Sequence, residues 1–346
     1  MKTPLLLFLV ILVGAVGNAQ EKKYKVGIVA SYNLQNLFDT LDDPKKNDED
    51  YTPTGVNHYT GVEYREKVKR MADVMEEIGT DISPDGFSLL GVAEVENAKV
   101  LQDLINQPVL AGRHLRIVHF DGPDERGLDP ALIYNPKYFT IKHSEPLFVR
   151  LVNGDGTPHY TRDVLWVNGL YNGEMIHLFI NHWPSRMDGE NAGPGARAAA
   201  AAVCKRVIDS LMNITPLTKV IVMGDLNDDP VALSVTKVLG ARSDMSKLIP
   251  GELYNPWVDL YSNELGTVYY NESWGLFDQM LFSTAFLNKS QKGFYFHAVH
   301  IFNKPYLLNK SGKLKGFPMG NYEGNIFVGG YSDHLPTYGI LLKETK

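Results

Sequence analysis

Apolar residues along this chain gather in short runs, and most runs end on a polar signature. Val26 to Tyr32 predicts a buried strand, with Asn33 just past its end. Tyr64 to Ile78 sets Val68, Met71, Val74, Met75 and Ile78 at helical spacing with charges between them, which predicts an amphipathic helix. Phe87 to Val95 reads as a second strand and Ala98 to Asn106 as a helix. Leu115 to Phe120, Ala131 to Tyr134 and Leu147 to Leu151 predict further strands. Val164 to Tyr171 and Met175 to Asn181 predict a hairpin that turns at Asn172-Gly173. A Gly-rich loop covers Met187 to Gly195, and Ala196 to Leu211 predicts a helix. Lys219 to Met223 predicts a short strand ending at Gly224-Asp225, and Val231 to Leu239 a helix after it. The last third is β-rich, with strands over Thr267 to Tyr270, Gln279 to Phe282, Phe294 to Ile301 and Thr337 to Leu342. Asp39 to Gly61 is polar and punctuated by Gly and Pro, as a surface loop would be.

Strands with polar ends and helices between them indicate an α/β layered sandwich. No repeat, low-complexity linker or composition break interrupts the chain after residue 25, so a single domain over residues 20–346 is predicted. Residues 1–19 stand apart. Lys2 supplies a positive start, Leu5 to Val13 is apolar, and Gly17-Asn18-Ala19 ends on small residues. That is the pattern of a secretory signal peptide cleaved after Ala19, and it predicts export to the periplasm or the extracellular space. An uncleaved membrane anchor is the competing reading, but the run is short for a span. No later stretch is apolar enough to cross a bilayer, so stable membrane insertion is not expected.

Composition narrows the picture. Hydrophobic residues make up 44% of the chain, enough for a sizeable core. Cys204 is the only cysteine, so no intrachain disulfide can form and the fold must rest on that core. Cys204 itself lies in the Ala-rich helical pattern and is expected to pack there. The net charge of −6 argues against a tight nonspecific DNA binder, which needs basic surface. It argues less against a nuclease, because a divalent cation brings local positive charge.

The polar signatures together carry what metal-assisted phosphoester hydrolysis requires. Glu94 follows the apolar Leu89-Leu90-Gly91-Val92-Ala93, where an unpaired charge is costly, and a cation at its tip removes that cost. A structural salt bridge is the plain alternative, and Glu96 is a second, weaker candidate. Asn33 can contact a phosphoryl oxygen or a water, or simply shape a turn. In Gly224-Asp225-Leu226-Asn227, extended geometry would put Asp225 and Asn227 on one face, one holding the attacking water and the other donating to phosphate. An Asx-rich turn is the alternative there. His182, followed by Trp183-Pro184-Ser185-Arg186, reads as an anion-binding rim or as a structural histidine. A carboxylate can fix the tautomer of a histidine and raise its pKa. We therefore expect Asp278 to pair with His334, which leaves Asp333 free for the cation. Arg126 and Arg186 are candidate phosphate clamps or surface salt-bridge formers.

In this order the signatures resemble the endonuclease/exonuclease/phosphatase superfamily with its DNase I-like fold, over nearly all of residues 24–343. The match runs through Asn33, Glu94, His182, Gly224-Asp225-Leu226-Asn227, Asp278 and Ser332-Asp333-His334. The resemblance implies a four-layered α/β sandwich, two packed mixed β-sheets flanked by helices, and Mg²⁺- or Mn²⁺-dependent phosphoester cleavage. It implies Glu94 as main metal ligand with Asn33 and Asp333 near it. Asp225 would orient the water and Asn227 bind phosphate. His182 and His334 would contact phosphate, with Asp278 supporting His334. Gln35 departs from nuclease members that carry an acid two residues after the first Asn, which leaves a second ligand open. The substrates expected are nucleic acid or, alternatively, lipid or sugar phosphates. A catalytically silent binding protein on the same fold is the reading of a different class.

Overall fold

The computed structural model describes residues 22–186, 193–289 and 292–345. The signal-like residues 1–19, and residues 187–192 of the Gly-rich loop, lie outside them. Along the chain come β1 (Lys23–Leu37), α1 (Gly61–Glu77), β2 (Leu89–Val95), α2 (Ala98–Ile105), α3 (Pro108–Ala111), β3 (Arg116–Val118), β4 (Asp129–Tyr134) and β5 (Phe139–Leu147). A small hairpin, β6 (Leu151–Val152) and β7 (Pro158–His159), precedes β8 (Val164–Tyr171), β9 (Glu174–His182), α4 (Pro194–Ile214) and β10 (Val220–Asp225). Then follow β11 (Ala241–Arg242), β12 (Leu253–Tyr254), α5 (Val258–Ser262), the hairpin β13 (Val268–Tyr270) and β14 (Ser273–Gly275), and β15 (Asp278–Ser283). The chain ends with β16 (Tyr295–Ile301), the hairpin β17 (Tyr322–Glu323) and β18 (Ile326–Phe327), and β19 (Thr337–Thr345).

Two mixed sheets result, ordered β16-β19-β1-β2-β4-β3 and β11-β12-β15-β10-β9-β8-β5. The alternation of strand side chains builds the layers between them. On β1, Ile28, Ala30 and Tyr32 face Val68, Met71, Val74 and Met75 of α1. Val29, between them, turns the other way into the inter-sheet core with Leu178, Ile180, Ile221, Met223 and Phe282. On β10, Val220 and Val222 instead meet Ala200, Cys204 and Ile208 of α4. Strand β10 is thus buried on both faces, which is why its sequence is an unbroken apolar run. The layers run helix, sheet, sheet, helix, the four-layered α/β sandwich expected of the chain.

Several boundaries differ from the sequence reading, each for a physical reason. Asn33 is not past the end of β1 but inside it, at a register irregularity between Asn33 and Leu37. Strand β5 covers Phe139–Leu147, whereas the sequence pointed to Leu147 to Leu151. It is an edge strand, where polar residues and Pro146 are tolerated, so its pattern is diluted. The helix expected over Val231 to Leu239 shrinks to one π-type turn, Ser234–Val238. The Ser234 hydroxyl donates to Asp228 Oδ2 at 2.6 Å, tying that segment to the preceding loop. The predicted hairpin at Asn172-Gly173 is present, with both residues at positive φ (48° and 86°) as a two-residue β-turn requires.

Candidate active site

Register places much of the site. In the second sheet Asp225 pairs with His182 on one side and Asp278 on the other, so three functional side chains come from neighbouring strands at one level. In the first sheet Asn33 pairs with Ala93, one residue before Glu94. The ends of β1, β2, β9 and β10 face the same edge of the sandwich.

Glu94 sits in left-handed backbone at φ 62°, where the β2–β4 register also breaks. Gln35 (46°) and Asn36 (54°) of β1 are left-handed too. Such conformations cost about 1–3 kcal/mol each for non-glycine residues and persist where surrounding contacts impose them. Here the contacts are visible. The Asn36 N–H donates to Glu94 Oε2 at 2.7 Å. The Gln35 N–H donates to Asn33 Oδ1 at 2.8 Å, which fixes the amide so that its nitrogen faces the carboxylates. Asn33 Nδ2 donates to Glu94 Oε1 and to Asp225 Oδ2, both at 3.0 Å.

His334 and Asp278 form the pair expected from sequence, with Nδ1 2.7 Å from Oδ2. His334 Nε2 lies 3.8 Å from Asp225 Oδ2. Burial alone would lower the imidazole pKa, but Asp278 and then Asp225 outweigh it and raise it well above its ordinary value. Burial raises the Asp225 carboxyl, helped by Asp278 and Glu94 and opposed by His334. Ser332 completes the loop: its hydroxyl donates to the Asn33 carbonyl at 2.8 Å and accepts the His334 N–H at 3.1 Å.

His182 is a different histidine. Its Nε2 lies 3.7 Å from Glu94 Oε1 and 3.9 Å from Asp225 Oδ2. Burial and then the Arg162 charge hold its pKa well below the ordinary value, which favours the neutral ring. Arg162 was not apparent in the sequence. Its guanidinium donates to Asp124 Oδ2 at 3.2 Å and to the Trp183 carbonyl at 3.1 Å, and stands 3.4 Å from His182 Nε2. The one sequence signal was a charged Thr161-Arg162-Asp163 step just before β8.

Other expectations need correction. Asp225 and Asn227 do not share the face of an extended strand. Asn227 is left-handed at φ 48°, and its N–H donates to Asp225 Oδ1 at 2.8 Å, an Asx-type turn. Its side-chain amide donates to the Trp183 carbonyl at 2.9 Å. Arg186 donates to the Asn227 carbonyl, to Asp228 Oδ1 and to Asp229 Oδ2 at 2.8, 3.1 and 3.0 Å, so its guanidinium already anchors the Asn227–Asp229 loop. Arg126 is half-buried, and its charge is felt at His182 and Tyr51. Asp333 is exposed and feels the Glu94 charge through space. It does not join either tight cluster of candidate ligand atoms. Glu96 turns away to accept the Asp39 N–H at 2.5 Å, and burial raises it to about 7.

Those clusters, Glu94–His182–Asp225 and Asp225–Asp278–His334, each hold one ligand atom per residue within 4.8 Å and share Asp225. Two carboxylates crowded on the single Asn33 amide suit a hard cation, which takes oxygen ligands. A cavity of about 630 Å³ lies elsewhere, between α4 and the β11–β12 region, and contains none of these residues.

The described helices include none long and apolar enough to cross a membrane. No curated protein matches the chain. Solved structures do. An endonuclease/exonuclease/phosphatase family protein from Bacteroides thetaiotaomicron overlays with a TM-score of 0.54 at 16% identity, covering 93% of this chain and 97% of that one. D. rerio TDP2 complexed with single strand DNA product gives 0.52 at 14%, covering 91% and 98%. A Bacteroides thetaiotaomicron mannosyl-6-phosphatase gives 0.52 at 16%, covering 92% and 100%. At such identities the overlays speak for the DNase I-like fold alone. The family follows from residues 28–343, which match the Endonuclease/Exonuclease/phosphatase family model: the chain belongs to that family of phosphoester hydrolases.

Proposed function

We propose that the chain is an exported, Mg²⁺- or Mn²⁺-dependent phosphodiesterase of nuclease type that directs water at phosphorus. The supporting observation is the setting of Asp225. Its Oδ2 accepts from Asn33 at 3.0 Å and has the Nε2 atoms of His334 and His182 at 3.8 and 3.9 Å. A buried carboxylate with a raised pKa, ringed by donors, is suited to hold a water and take its proton. Glu94 and Asp333 are the proposed ligands of the cation, which when bound offsets charge on the phosphoryl and leaving oxygens. His334, as an imidazolium, donates to one phosphoryl oxygen. Asn227 has a second amide N–H for another, and neutral His182 can donate only from its protonated nitrogen. Arg162 adds fixed positive potential behind His182, and Arg126 is the remaining candidate for a phosphate contact. Positioning and electrostatics suffice, with no covalent intermediate. The export reading rests on the pattern in residues 1–19.

A second reading is a phosphatase or phosphodiesterase on sugar or lipid phosphates. The net charge of −6 favours a small substrate over a polyanion, and one fold relative is a mannosyl-6-phosphatase. The deciding experiment incubates purified protein with Mg²⁺ or Mn²⁺ and DNA, RNA, bis-p-nitrophenyl phosphate, p-nitrophenyl phosphate, mannose 6-phosphate or sphingomyelin. Cleavage of nucleic acid and the bis-ester above the monoesters supports the first reading, and the reverse order supports the second. No hydrolysis of any of them with either cation defeats both.

A further inference from the structure

Lys67 is fully buried on the inner face of α1, at 0% exposure, among Val68, Met71 and other core residues. A buried ammonium is costly unless its donors are used. Both of its observed acceptors are backbone carbonyls of β1. Nζ donates to the Gln35 carbonyl and, at 2.7 Å, to the Asn36 carbonyl. These are the two residues that β1 holds in left-handed backbone immediately before it meets Glu94. Their amides face the opposite way, toward the site: Asn36 N–H onto Glu94 Oε2 and Gln35 N–H onto Asn33 Oδ1. Burial lowers the Lys67 pKa to about 7, while Glu94 and then Asp333 pull it upward through space.

From this geometry we propose that Lys67 is the positioning residue of the Glu94 cation site. One side chain on a core helix clamps two strained carbonyls, and the amides of those same residues aim Glu94 and Asn33. The link is mechanical as well as electrostatic. A Gln35–Asn36 segment released from Nζ would relax toward ordinary strand geometry, and the Asn36 N–H would leave the Glu94 carboxylate. Lys67 touches no reacting atom, so its effect should appear in cation affinity more than in turnover. Residues that orient metal ligands from behind typically change affinity by about 10–100-fold when removed.

This inference rests on Glu94 as a cation ligand, and the test separates the two. Mn²⁺ is titrated by EPR into the parent, Glu94→Gln and Lys67→Met. Thermal unfolding is followed without metal, and kcat on bis-p-nitrophenyl phosphate is measured at saturating Mn²⁺. Expected is a cooperatively folded Lys67→Met whose Mn²⁺ Kd is weaker by about 10-fold or more, with kcat at saturation close to the parent value. A folded Lys67→Met that binds Mn²⁺ as tightly as the parent overturns the proposal, as does a lost kcat at unchanged Kd. If Lys67→Met gives no cooperative transition, Lys67→Leu, also apolar and without an N–H donor, is judged by the same criteria. A parent that binds no Mn²⁺, or binds it equally after Glu94→Gln, overturns both this proposal and the Glu94 assignment. Glu94-dependent binding that ignores Lys67 overturns this proposal alone.

Discussion

Asp278 Oδ2 stands 2.7 Å from His334 Nδ1 and accepts the Thr267 hydroxyl at 2.6 Å, so one oxygen fixes both the orientation and the charge of the imidazole. Asp278 and Asp225 raise the His334 pKa well above its ordinary value, which favours the imidazolium. A histidine whose folded pKa is raised contributes stability that is full below its unfolded pKa of about 6.5 and is lost as pH rises through the folded pKa. Asp278→Asn should therefore move the alkaline limb of the pH–rate profile to lower pH and lower the His334 titration midpoint seen by NMR. Because both residues act through one ring, Asp278→Asn should add little to the loss caused by His334→Ala. Fully multiplicative losses with an unmoved alkaline limb would make Asp278 an ordinary structural carboxylate.

Glu94→Gln keeps the shape of the side chain and removes its charge. Activity should fall by about two or more orders of magnitude, because a hard cation needs anionic oxygen. The circular dichroism spectrum should stay that of the parent. Near-parental turnover with unchanged metal dependence would take Glu94 out of the site.

Arg162→Met tests the residue hidden from the sequence. Its side chain and that of Asp124 are 3% and 5% exposed, so the substitution strands a buried carboxylate. Breaking such a pair typically costs about 3–5 kcal/mol, readable as a lower midpoint in urea unfolding. Where Arg162→Met remains folded, kcat should fall, and the pKa of His182 should rise because Arg162 no longer opposes its protonation. Unchanged stability and unchanged kcat would show that the pair is incidental.

Arg186→Ala distinguishes a phosphate clamp from a loop anchor. Its guanidinium is already shared between Asp228, Asp229 and the Asn227 carbonyl. The expected outcome is lower thermal stability with KM altered by no more than about twofold. A large rise in KM at parental stability would restore the clamp.

The legible part of this site was the part carried by strands. Val220 to Met223 announced a rigid, doubly buried strand, and the position of Asp225 at its end followed. Asp278 with His334 was legible because a carboxylate and a histidine each flank a strand. Lys67 and Arg162 were not legible. Lys67 sits in a helix whose polar residues otherwise face water, and nothing in helical periodicity says that one of them points inward. Arg162 acts through Asp124, 38 residues away, and such a pairing exists only once the loops are packed. At Asn227 the Asx-rich turn, the alternative to a shared strand face, is the one the structure takes, in keeping with the Asp228-Asp229-Pro230 that follows.

The Ser332 hydroxyl reaches the Asn33 carbonyl across a sequence separation of 299 residues, and β19 zips onto β1 from Lys23–Thr345 to Ser31–Thr337. The first strand made is therefore completed by the last. A truncated chain that ends before Ser332 has Glu94, His182 and Asp225 but no His334 and no hydroxyl on the Asn33 carbonyl. Removing the segment from Ser332 onward is therefore expected to abolish hydrolysis even though the other site residues are present. Contacts so distant in sequence raise the contact order of the fold, which tends to slow folding.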